Sequence, residues 1–208
     1  MTGRPIVVVR LLLGAVLFVN GFNWFFKIIT PYPSMSDFVH YLPPPDIVGA
    51  LIDNGILFHL AKAIELLAGI ALLANCFVPL ALVVSMSVTV TVFIVDVFKP
   101  DFRLRAFLMG TGTMAMSVTL LIAYFDHFRP MLALKGKPSA DPAVADSAIT
   151  GGAAADIFGR TIKPLFMPLV VISLAVGTVQ VGWLAVMIGQ YVADPKAIYQ
   201  VRPMVPRR

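Results

Sequence analysis

The sequence predicts an all-α membrane protein: a four-helix transmembrane bundle, then a fifth transmembrane helix after a long linker. Three observations carry this. Of 208 residues, 59% are apolar and only 13% are charged, about half the roughly 25% charged share of a soluble domain. Mean hydropathy is +0.88. The apolar residues also fall in blocks of about 20 or more, the length that crosses a bilayer core. Together these exclude an ordinary cytosolic enzyme, a nucleic-acid-binding domain and a disordered chain. The 16 Lys and Arg against 11 Asp and Glu give a formal charge of +5. In a membrane protein that excess reads as cations at the ends of spans, not as a nucleic-acid surface.

Five spans are expected, over residues 6–29, 56–76, 79–98, 104–125 and 165–192. Helices are the default because a lipid-exposed backbone must satisfy its own hydrogen bonds. A β-barrel would alternate apolar and polar residues, and ILFHLAKAIELLAGIALLANC does not. The first span has Arg4 ahead of it like a signal peptide, but it is long and no small-residue cleavage site follows, so it reads as a retained helix.

The connections differ in character. Residues 30–55 carry Asp37, Asp46 and Asp53, no Lys or Arg, and a PPP run that stops any helix. Within them, residues 35–42 read as a short interfacial helix. Residues 75–78 form a tight turn, which makes the second and third spans antiparallel neighbours. Residues 126–163 are long, polar and rich in Ala, Gly and Asp, with Pro138 and Pro142, and read as a linker. The chain thus divides into a bundle at 1–125, a linker at 126–163, and a fifth helix with a basic tail at 164–208. Counting every Lys and Arg except Lys62, the two sides of the membrane hold seven and eight, so the positive-inside rule gives no orientation.

Ionisable groups inside a span cost at least about 2.5–3.5 kcal/mol at its centre. They mark either an internal pairing or a functional site. The second span carries His59, Lys62 and Glu65, whose spacing of three places neighbours within reach. One reading is a Lys62–Glu65 ion pair that fixes packing. The other is a proton- or quinone-related site. Asn20, Asn23 and Lys27 share a stripe of the first span, beside Arg10, Gly14, Leu17 and Gly21. The glycines suit close helix approach and the asparagines suit hydrogen bonds across it. Lys27 reads as an interfacial anchor. Alternatively, Asn20 or Asn23 meets Glu65 in a buried polar pocket.

On the third span, Ser85, Thr89 and Asp96 share a stripe. Asp96 reads either as an interfacial partner of Lys99 or as a second carboxylate facing a shared pocket. Gly110, Thr113 and Ser117 on the fourth span, and Ser173, Gly177 and Gln180 on the fifth, read as packing stripes. Trp24, Trp183, Tyr124 and Tyr191 lie near span ends, as an aromatic belt would.

Several chemistries lack their residues. Cys76 is the sole cysteine, so no disulfide within the chain, CxxC pair or cysteine metal cluster can form. No HExxH, Walker-type loop or G-x-S-x-G is present. His40, His59 and His127 make no facing pair for a bis-histidine haem. No metal site is expected.

The stretch RLLLGAVLFVNGFNWFFK resembles the opening helix of the DoxX-like membrane family. The following PPPDIVGALIDNGILFHLAKAIELLAGIALLANCFVPLALVVSMSV is similar to that family's second and third helices. There a Glu is followed by a Gly four residues on and by a short turn; here these are Glu65, Gly69 and residues 75–78. The resemblance covers about residues 8–125. It implies a four-helix membrane bundle in a redox neighbourhood, since some members are linked to thiosulfate:quinone oxidoreductase and others to membrane oxidoreductase complexes. The linker and fifth span depart from the family pattern. The lack of a second cysteine speaks against independent thiol–disulfide chemistry.

Three functions follow as expectations. The first is an accessory, non-catalytic subunit of a respiratory or other redox complex in a bacterial inner membrane, docked on other membrane subunits through the fifth helix. The second is a quinone-linked oxidoreductase subunit. Its quinone pocket would be drawn from Asn20, Asn23, His59, Lys62 and Glu65, with Glu65 and Lys62 as the candidate catalytic groups. The third is a small transporter, which fits less well because the polar groups cluster on the first two spans and near the ends of the third.

Overall fold

The computed structural model describes residues 3–26, 55–98, 104–128 and 153–193. They form helices α1 (Gly3–Phe26), α2 (Ile56–Leu73), α3 (Val78–Val97), α4 (Leu104–Ala123) and α5 (Ala153–Ala193). A four-residue helical segment, Phe125–Phe128, follows α4. No strand occurs among the described residues. The expected interfacial helix at 35–42, Lys27, Lys99 and the middle of the linker lie outside the described residues.

Among the described residues, four helices are long and apolar enough to cross a membrane: Gly3–Phe26, Ile56–Leu73, Val78–Val97 and Pro164–Gln190. The sequence pointed to five. The apolar part of α4, Phe107–Ala123, is shorter. At 1.5 Å per residue it spans about 26 Å, against roughly 30 Å of hydrocarbon. Its Gly and Thr residues and Arg105 dilute the apolar run at one end. Helix α5 starts at Ala153, inside the stretch read as linker, and continues through Pro164 and Pro168.

The turn between α2 and α3 is as tight as the sequence suggested. Asn75 and Phe77 adopt positive φ, at 57° and 50°. Asn accepts that conformation readily, whereas Phe77 bears the steric cost of a left-handed residue. The Ala74 and Cys76 amides donate to the Ile70 and Ala71 carbonyls, both at 2.9 Å, and satisfy the end of α2. Pro79 then opens α3, where a missing N–H costs nothing.

Helices α1 and α2 form the closest pair. A Cβ on Gly21 would lie 2.5 Å from the Leu66 backbone nitrogen, and one on Gly69 would fall inside the backbone of Phe18. The glycines therefore set a backbone-to-backbone contact, as small residues do between membrane helices. The core continues through Val9, Leu13, Val16, Leu72, Leu82, Met116 and Leu120.

Helix α5 packs on its own bundle, against α4 and α1. The stripe read as packing does this work. Gln180 Nε2 donates to the carbonyls of Leu108 and Met109 at 2.8 and 2.9 Å. Ser173 Oγ pairs with Thr119 Oγ1 at 2.8 Å. Val171, Ile172, Val179 and Val186 face out of the bundle, as lipid contact requires.

Candidate functional site

The polar residues of α1 to α4 converge on a cavity of about 200 Å³ inside the bundle. Asn20 enters from α1, Lys62 and Glu65 from α2, Thr89 and Asp96 from α3, and Thr113 from α4. Leu17, Val92 and Met109 complete the lining.

Lys62 and Glu65 form the centre of this site. Lys62 Nζ donates to Glu65 Oε2 at 2.7 Å, with the side chains 12% and 5% exposed. One helical turn brings them together, so α2 holds the pair without help from another helix. The Lys62 ammonium also sits 5.5 Å from the centre of the Phe58 ring, a cation–π distance.

Asp96 faces this cavity. Its place depends on Gly110 of α4, where a Cβ would come within 2.9 Å of the Asp96 Cβ and 3.5 Å of Oδ2. The α4 glycine thus makes room for an α3 carboxylate. Of the two readings the sequence left open, the structure places Asp96 at the shared pocket; Lys99 lies outside the described residues. Thr113 Oγ1 donates to the Met109 carbonyl at 2.8 Å. Thr89 is 3% exposed, and its Oγ1 has no hydrogen-bond partner among the described residues.

The structure therefore brings together three of the five pocket residues proposed from sequence, Asn20, Lys62 and Glu65. It does not bring Asn23 or His59 to the cavity. Asn23 is buried at 1% exposure; three residues past Asn20, it is turned about 60° from it around α1. His59 is one turn nearer the start of α2, exposed, with Nδ1 on the Gly55 carbonyl. Its ring stands at the edge of Trp24, centroids 5.6 Å apart. Trp24 itself is buried against Phe58, not exposed in an aromatic belt. Thr89 and Thr113 are the additions. Their only sequence signals were stripes shared with Asp96 and Gly110, which packing alone also explains. Among the described residues, no three of His, Cys, Asp and Glu come together as a metal site would require.

Residues 6–97 match the family model DoxX. This stretch is similar to the DoxX family. It covers nearly all of α1 and the whole of α2 and α3. Seven of the nine cavity residues, from Leu17 to Asp96, belong to it. Helix α4, which closes the cavity with Met109 and Thr113, lies beyond the match, as does α5. No curated protein and no solved structure matches the chain.

Proposed function

We propose that this DoxX-like protein is a membrane subunit of a redox complex, and that its cavity receives a quinone headgroup. The observation that carries the reading is the cavity: two carboxylates, one ammonium and a hydroxyl with no hydrogen-bond partner among the described residues, beside the apolar Leu17, Val92 and Met109 inside a membrane bundle. Its volume of about 200 Å³ lies below the roughly 300–1,000 Å³ of sites for drug-sized ligands. A single ring suits that space; an isoprenoid tail would lie outside it.

The donor and acceptor set fits such a ring. Lys62 Nζ and Thr89 Oγ1 can donate to a carbonyl oxygen. Glu65 and Asp96 can accept a hydroxyl hydrogen or take up its proton at a carboxylate oxygen. Asn20 can do either and so orients the ring. Leu17, Val92 and Met109 supply the apolar contacts and exclude bulk water. A bound quinone would supply two-electron, two-proton chemistry. With one cysteine and no facing histidine pair in the sequence, the electrons are assigned to a partner subunit. The reading places the protein in an energy-transducing membrane such as the bacterial inner membrane.

The test is the quinone content of the protein purified in patches of its native membrane, with Glu65→Gln and Thr89→Val in parallel. The reading expects near-stoichiometric quinone in the wild type and loss of most of it in both variants. A wild type free of quinone, or full retention in both variants, overturns it. Quinone-free protein that still co-migrates with redox subunits would assign it the accessory role instead.

A further inference from the structure

The interior contains a second polar level that the quinone reading does not use. Arg10 on α1 and Ser117 on α4 are 8% and 1% exposed. Neither Arg10 Nε nor Ser117 Oγ has a hydrogen-bond partner among the described residues, and nor does Thr89 Oγ1.

Helix geometry places the three in one layer. Asp96 and Gly110 are in contact across antiparallel α3 and α4. Thr89 is seven residues before Asp96, and Ser117 is seven residues after Gly110. Both are therefore about 10 Å further along the same direction, two turns on and on nearly the same face. A Cβ on Gly177 would touch both Met116 and Leu12, so Arg10 on α1 lies close to the level of Ser117. Arg10 is also seven residues before Leu17, which lines the cavity, and so points to the same side. Thr89 belongs to both levels, since it too lines the cavity.

Buried polar groups in folded proteins almost always find a protein or water partner. Three that lack a protein partner, adjoining a polar cavity with room for several waters, meet the conditions for internal hydration. A charged side chain such as Arg10, with a buried nitrogen that has no partner among the described residues, has the greatest need of it.

We infer that internal water extends from the Lys62–Glu65–Asp96 cavity past Thr89 to Ser117 and Arg10, and that Arg10 closes this column to protons. Among the described residues, the charged groups facing the column are Arg10 at one end and Lys62, Glu65 and Asp96 at the other. A proton arriving from the carboxylate end passes along water and the threonine and serine hydroxyls. Each oxygen takes up one proton and releases another, so nothing is oxidised or reduced. At Arg10 the fixed positive charge repels it, as cationic residues do in water-filled pores. The column thus serves the carboxylates with water and does not short-circuit the membrane.

The test uses the full chain with no added quinone, so this inference and the quinone reading fail separately. Water-edited solid-state NMR of the reconstituted protein reads hydration directly. Magnetisation from water should reach Thr89 and Ser117 several-fold faster than it reaches Leu13 and Leu120, which are wholly buried and apolar. Equal rates overturn the column. Vesicles loaded with a pH-sensitive dye, driven by a potassium gradient with valinomycin, read the closure. Wild-type vesicles should be tight, Arg10→Gln should admit protons several-fold faster, and Thr89→Val added to it should restore tightness. Tight Arg10→Gln vesicles, with the variant folded, overturn the role of Arg10. Should that variant not fold, the NMR comparison on the wild type still decides the column.

Discussion

Lys62 and Glu65 are joined at 2.7 Å by a single turn of α2, and both side chains are nearly closed off from solvent. The bond is local, but its burial is the work of four helices. Removing one partner of a buried pair leaves the other charge uncompensated, at a typical cost of about 3–5 kcal/mol. Lys62→Met should therefore destabilise the protein strongly, whereas Lys62→Met with Glu65→Gln should recover most of the loss. Thermal unfolding in one detergent measures both. If the single and double variants melt together, the pair adds nothing to the fold.

Glu65→Leu separates packing from function. Lys62 has a flexible stem and reaches Phe58 toward the start of α2, so it can move outward once the carboxylate is gone. Expression and melting should stay near wild type while quinone content falls. Normal quinone content in folded Glu65→Leu would remove Glu65 from the site.

The α1–α2 seam makes a sharper steric prediction. A Cβ at Gly69 would meet the backbone of Phe18, which cannot rotate away. Gly69→Ala should cost about 1–3 kcal/mol, the usual range for overpacking, and Gly69→Leu should prevent the bundle from assembling. At Gly189, where a Cβ would meet nothing within 4 Å, alanine should be tolerated. Equal melting temperatures for the two alanine variants would mean the helices are further apart than described.

Much of this architecture was legible in the sequence because hydrophobic blocks, turn residues and intramembrane charges are local signals. Lys62 and Glu65 could be paired from their spacing alone, and Asn75 and Pro79 marked the α2–α3 turn. The cavity was less legible. Asp96 reads equally as an interfacial or an interior carboxylate until the helix rotation is known, and that rotation depends on Gly110 of another helix. His59 shares the second span with Lys62 and Glu65 but lies one turn outside the enclosed part. Sequence spacing gives the angle around a helix, not how far along it the bundle closes. The match to DoxX shares this limit, since it ends at residue 97, before the helix that closes the cavity.

The contact between α4 and α5 is testable through Thr119 and Ser173, whose hydroxyls pair at 2.8 Å in full burial. A double-mutant cycle with Thr119→Val and Ser173→Ala should give a coupling near 0.6 kcal/mol, the average for hydrogen bonds between membrane helices, and no more than about 1.7 kcal/mol. Gln180→Leu removes two donors to α4 carbonyls and should cost more than either single change. A coupling of zero, together with a neutral Gln180→Leu, would mean that α5 belongs against another subunit.

Cys76 offers the orientation that the charges withhold. It is exposed in the α2–α3 turn and is the sole cysteine. Gly14 of α1 packs at the level of Leu72 and Leu73, so the start of α1 and the Cys76 turn lie at the same end of the bundle. An impermeant maleimide should label Cys76 without denaturant. It should do so from the side on which a tag at the N-terminus is cleaved by protease. Labelling and cleavage from opposite sides would contradict the antiparallel pairing of α1 and α2. Agreement would fix which face of the membrane lies nearest Arg10, and so the side on which the internal column is closed.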